Sequence, residues 1–164
     1  MNEKEILDGL LQKASEKEEA LKKLLQLTMA QEHFIKEKDM NRLNQAIEEK
    51  KKIIEEIDSI DIAFLSSYQA LKKKLNVQSL EEIDPRQFPP LKDLKISIQQ
   101  IMRLLRQIDA LDQKNRKELE EDFAALKEEM KEVLFQKKSQ KVASIYRQKY
   151  VGGEGAFIDN KRKK

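Results

Sequence analysis

The 164-residue chain has no cysteine and a single histidine, and its four glycines and three prolines leave long stretches without either. Without cysteine there is no disulfide, no thiolate nucleophile and no thiolate metal site. Strand signals are missing as well: no β-branched run alternates with period two between turn residues. The only glycine cluster, Gly152-Gly153-Glu154-Gly155, precedes no helix, so it does not form a phosphate-cradling loop. Met1-Asn2-Glu3-Lys4 lacks the apolar run of a signal peptide, and no segment approaches a membrane span. The compartment expected on those grounds is cytoplasmic.

Charged residues make up 38% of the chain and hydrophobic residues 39%, the mixture of long amphipathic helices rather than of a thick core or a sheet. The apolar share is too high for wholesale disorder. Thirty-three basic and 30 acidic residues are finely interleaved to a net charge of +3, which reads as solvated helix faces rather than a phosphate-binding band. Lys72-Lys73-Lys74, Lys137-Lys138 and the Lys161–Lys164 tail could touch phosphate, but the aromatics that base stacking needs are not interleaved with arginine. Nucleic acid is therefore not an expected partner. The 133–150 segment lacks the wide apolar face of a membrane-inserting helix.

Catalysis needs convergent groups. His33 stands near a helix end, with Ala30 where a Glu-x-x-His metal motif would place glutamate. Glutamate pairs such as Glu48-Glu49 and Glu55-Glu56 sit among lysines on an outer face. No catalytic residue, metal ligand or cofactor site is expected, and an enzyme is not.

Heptad spacing predicts an all-α fold: an antiparallel coiled-coil hairpin plus a long third helix, forming an elongated three-helix bundle over 1–150 as a single domain. The helices are expected at about 3–38, 40–75 and 91–150, followed by a flexible tail over 151–164. In the first, Leu7, Leu10, Ala14, Leu21, Leu24 and Ile35 mark a seam. In the second, Met40, Leu43, Ile47, Ile54, Ile57, Phe64, Tyr68, Leu71 and Leu75 do the same, behind an N-cap at Asp39. Folding the pair about Asp39 matches the seams at a constant residue-number sum of 78. Lys17 then falls opposite Asp61, Thr28 beside Lys50, and Gln31 beside Ile47. Ser79-Leu80-Glu81-Glu82 has capping-box spacing in the connector, and Pro90 suits the first turn of the third helix.

That third helix opens with Leu91, Leu94, Ile98, Ile101, Leu105 and Ile108, is interrupted by the polar run Asp112–Glu118, and resumes at Leu119, Phe123, Leu126, Met130 and Val133. At 1.5 Å per residue it would reach ~90 Å against ~50–55 Å for either neighbour. Its far end must stay exposed, fold back, or be covered by another molecule. Leu126, Met130, Val133, Leu134, Val142, Ile145 and Tyr146 have no obvious internal partner and form the candidate partner-binding surface, with Tyr150, Phe157 and Ile158 beyond. A homodimer closed through 126–150 is the competing use of that surface.

Asp39-Met40-Asn41-Arg42-Leu43, Glu49-Lys50-Lys51, Ile53-Ile54-Glu55-Glu56-Ile57, Ile145-Tyr146 and Gly155-Ala156-Phe157-Ile158-Asp159-Asn160-Lys161 carry a resemblance to the FlgN family of flagellar export chaperones. The sister FliT-type chaperones, also small helical hairpins, are the nearest confusion. The resemblance implies a cytoplasmic helical protein that holds hook–filament junction subunits and delivers them to the flagellar export machinery. It also implies that the C-terminal helix captures an amphipathic client helix. A tyrosine nearby, Tyr146 or Tyr150, would assist docking on the export-gate component FlhA.

Overall fold

A computed structural model of the chain describes residues 2–151, with side chains through Arg147. Helices account for nearly all of the described residues: α1 spans Glu3–Lys36, α2 Met40–Leu75, a 3-10 turn Leu80–Glu82, and α3 Pro89–Val151. The order and type match the pattern read from the heptads. The chain divides into two compact units, Met1–Lys117 and Glu118–Lys164.

Each helix boundary in the first unit has a local cause. The Asn2 side chain accepts from the Glu5 amide at 2.8 Å, and Asp39 accepts from the Arg42 amide at 3.1 Å, so both helix starts are capped. α1 ends two residues before the expected Lys38, because Lys38 takes a left-handed φ of 56° to make the turn. Asn76 closes α2 in the same region at φ 51°, a conformation asparagine tolerates. In the connector the Ser79 hydroxyl accepts from the Glu81 amide, while Glu82 accepts from the Gln78 amide, one residue beyond the Ser79 amide of the ideal box. Pro89 and Pro90 then open α3, where no amide proton is required.

The core joins Leu7, Leu10, Ala14 and Leu21 of α1 to Ile57 and Leu71 of α2 and to Leu91, Leu94, Ile101 and Ile108 of α3. Burial of each large side chain contributes ~1.5–3 kcal/mol before ordering costs. α1 is covered on both flanks of its seam, by Ile6 and Ala20 on one side and partly buried Leu11 and Leu25 on the other.

The hairpin register holds where it was most specific. Lys17 Nζ donates to Asp61 Oδ1 at 2.6 Å, as the sum of 78 requires. Two expectations change. α2 buries Leu43, Ala46, Lys50, Ile57, Ile60 and Leu71, so its inward face is rotated from the expected seam and leaves Met40 and Ile54 exposed. α3 is likewise rotated: Leu94, Ile101, Ile108 and Asn115 point inward, and Ile98 and Leu105 become a half-open flank. A seam read for two helices serves one neighbour, whereas each helix here packs against two. The face then widens and its centre moves.

The polar run of α3 does not interrupt the helix. Lys50, only 8% exposed, donates to Gln31 at 2.8 Å and to Asp112 at 2.8 Å, tying α2 to both other helices. The lysine's ammonium group thus pairs with Gln31 on α1. Thr28 returns its own hydroxyl to the Leu24 carbonyl, and its carbonyl accepts from the Asn115 amide nitrogen at 3.1 Å. Next to this layer Glu32 faces both Lys36 and Lys114. Its hydrogen bond from Lys36, helped by the Lys114 charge, holds the carboxyl below the usual carboxylate range.

Two stability outcomes follow from this packing. Asp112→Ala is expected to lower the unfolding free energy by about 1–3 kcal/mol, because Lys50 keeps one neutral partner. Adding Lys50→Met should restore most of that loss, as apolar replacements of buried ion pairs often do; urea unfolding followed by far-UV circular dichroism measures both. Gly9 lies exposed in α1, and a Cβ added there meets nothing within 4 Å. Gly9→Ala should therefore raise stability by about 0.5–1 kcal/mol in the same measurement.

Candidate functional site

From Glu118 onward the sequence is rich in Glu, Lys, Leu and Ala and free of glycine and proline through Val151, which favours helix by local propensity alone. In the described part of this unit every residue from Glu120 to Ala143 is exposed. Leu126, Met130, Val133, Leu134, Val142 and Tyr146 are among the exposed large side chains, and Ile145 is half-buried. The side chain of Tyr150, together with Phe157 and Ile158, lies outside the described residues, as does the tail from 152.

Helical geometry sorts these residues into two faces. At about 100° per residue, Leu119, Phe123, Leu126, Met130 and Val133 fall within about 40° of one line along the helix. Phe135, Val142 and Tyr146 cluster about 160° away from that line, with Leu134 and Ile145 on the shoulder between. The first line does not continue past Val133, since Lys137 and Lys141 occupy the positions where it would run. The seven expected residues are thus brought onto one exposed helix but not onto one surface. Phe123, 57% exposed, and Phe135, 71% exposed, join them. Phe135 was not anticipated; its seven-residue spacing to Val142 is the signal that marks it.

Other surfaces offer less. In the first unit a cleft of about 530 Å³ has an apolar floor of Tyr68, Leu80, Leu91, Leu94 and Ile98, with Glu81 and Lys95 also in its lining. Lys72 Nζ rests 4.9 Å from the Tyr68 ring centre, so one lysine of the basic triplet is engaged with its own helix. His33 is exposed beside Phe34. Among the described residues no group of three or more His, Asp or Glu side chains could hold a metal ion, and no helix is long and apolar enough to cross a membrane.

Side chains that bury nothing contribute little to folding. Phe123→Asp with Met130→Asp should leave the melting transition unchanged within about 0.5 kcal/mol. Leu21→Ala, in the core, should cost about 2–5 kcal/mol. Thermal unfolding followed at 222 nm separates the two cases; a collapse of the first variant would place those residues in a core.

No curated protein and no solved structure matched the chain. The sequence profile described as FlgN protein matches residues 1–150, covering α1, α2 and nearly all of α3. With a three-helix core and an exposed apolar helical stretch, the chain belongs to the FlgN family of flagellar chaperones.

Proposed function

We propose that the chain is a cytoplasmic export chaperone that holds an amphipathic helix of a flagellar hook–filament junction protein and delivers it to the flagellar type III export apparatus. The observation that carries this reading is the exposed line Phe123, Leu126, Met130 and Val133. A client helix laid along it uses helix-in-groove recognition, with anchors at three- and four-residue steps. Met130 supplies an adaptable contact and Phe123 a large rigid one. No nucleotide or chemical step is needed, because covering the client's apolar face is itself the activity. Each large side chain buried between the two helices contributes ~1.5–3 kcal/mol, less the cost of ordering the client.

Leu134, Val142, Ile145 and Tyr146, on the shoulder and far side of the same helix, are further proposed partner contacts, as are Tyr150, Phe157 and Ile158. Tyr146 or Tyr150 is the proposed contact to FlhA. The same exposed line could instead close a homodimer, making the chain a coiled-coil adaptor or tether.

Binding of the purified chain to hook–filament junction proteins from the same source, measured by calorimetry, tests the proposal. The expected result is a complex with one chain per client that Phe123→Asp with Met130→Asp weakens at least about tenfold, or ~1.4 kcal/mol. A chain that binds none of them, and that sediments as a stable dimer abolished by the same substitutions, would overturn it in favour of the tether.

A further inference from the structure

Methionine is ordinarily among the residue types most often buried. In this chain the opposite holds: among the described residues Met29, Met40, Met102 and Met130 are 58, 44, 47 and 58% exposed. The buried apolar side chains of those residues are leucine, isoleucine and alanine throughout. With no cysteine present, methionine supplies all the sulfur of the chain, and its thioethers stand open to an oxidant. Their positions are not equivalent. Met130 lies on the exposed line, with Leu126 four residues before it and Val133 three residues after it, so apolar neighbours sit one turn to either side. Met29, Met40 and Met102 belong to the first unit and not to that line.

We infer that Met130 is an oxidation site through which a peroxide releases the hold of this line on a partner helix while the fold stays intact. This rests on the proposal that the line from Phe123 to Val133 binds a helix. The sulfur lone pair attacks one peroxide oxygen, and the S–O bond forms as the O–O bond breaks. Sulfur is oxidised by two electrons, and the hydroxide that leaves takes the proton of the transferred oxygen to become water. A dithiol-dependent reductase reverses the step, the oxygen leaving as water and the dithiol closing to a disulfide. The sulfoxide oxygen is a hydrogen-bond acceptor, and the side chains of Phe123, Leu126 and Val133 have nothing to donate to it. Covered by a partner's apolar side chains, it loses its water without replacement, which weakens the complex. In the unbound chain it stays hydrated at no such cost. The buried interior holds no methionine, so the same chemistry introduces no polar oxygen there. A bound helix in turn covers the sulfur, so the free chain is modified and the loaded chain is spared.

The test treats the full chain with dilute hydrogen peroxide and reads its methionines by peptide mapping and mass spectrometry. Met130 should carry the sulfoxide, while the far-UV circular dichroism and the melting transition stay unchanged. Calorimetry against the hook–filament junction proteins should then show binding weakened at least about fivefold, and restored by methionine sulfoxide reductases with dithiothreitol. Met130→Leu, close in volume and without sulfur, should bind as the untreated chain does and keep its affinity through the same treatment. Saturation with a junction protein beforehand should slow sulfoxide formation at Met130 and not at Met29 or Met40. The inference is overturned if Met130 stays reduced, if the loss of binding persists in the Met130→Leu variant, or if peroxide melts the helices. A junction protein that binds treated and untreated chains equally sinks this inference alone and leaves the chaperone reading standing, whereas one that binds neither sinks both.

Discussion

Lys50 is the point on which the three-helix core turns. A lysine so thoroughly removed from water is tolerated only because its ammonium group finds Gln31 on α1 and Asp112 on α3. Those two bonds hold all three helices at one level. Asn115, one turn further along α3 and 4% exposed, adds a bond to the Thr28 carbonyl. Apolar contacts are insensitive to small slides of one helix along another, whereas these bonds are not. The layer consequently specifies the register of a core whose stability comes from leucine and isoleucine. Its geometry is imperfect in one respect, since the Asn115 side-chain oxygen is buried without a hydrogen-bond partner. That is a cost borne by the end of the core.

The same layer ends the apolar series of α3, although Ile35 of α1 and Leu43 and Ala46 of α2 are buried beyond it. Leu94, Ile101 and Ile108 repeat every seven residues on α3, and Asn115 takes the next place in the series. With polar groups there, the α3 series ends in buried hydrogen bonds rather than in a truncated apolar face. Glu32 and Lys114 complete the boundary on the α1 side. The apolar residues of 120–143 serve differently, being spaced for a helix while contributing nothing to the interior.

Much of this was legible in the chain because it is written in periodicity. Helix identities, the Asp39 cap and the Lys17–Asp61 pair all follow from three- and four-residue spacing and from matching one antiparallel neighbour. What escaped depends on the third helix. The inward faces of α2 and α3 rotate when each must serve two partners, and no pairwise register predicts that rotation. Asp112 and Asn115 read as an interruption because polarity at a seam position looks the same as a break until a buried lysine is placed opposite. At the candidate surface, exposure of the stretch was anticipated, but its division was not. Leu126 and Tyr146 look like members of one series until the angle between them is counted.

The absence of buried side chains between Glu120 and Ala143 bears on how long any passenger stays. A helix held only by its own backbone bonds and local charge pairs is marginal, and its turns open and reclose far more readily than those of a packed helix. Part of the energy of each association is spent keeping that segment wound, which limits affinity and hastens departure. Under the chaperone role proposed above, a loosely wound grip would let cargo be released without any fuel.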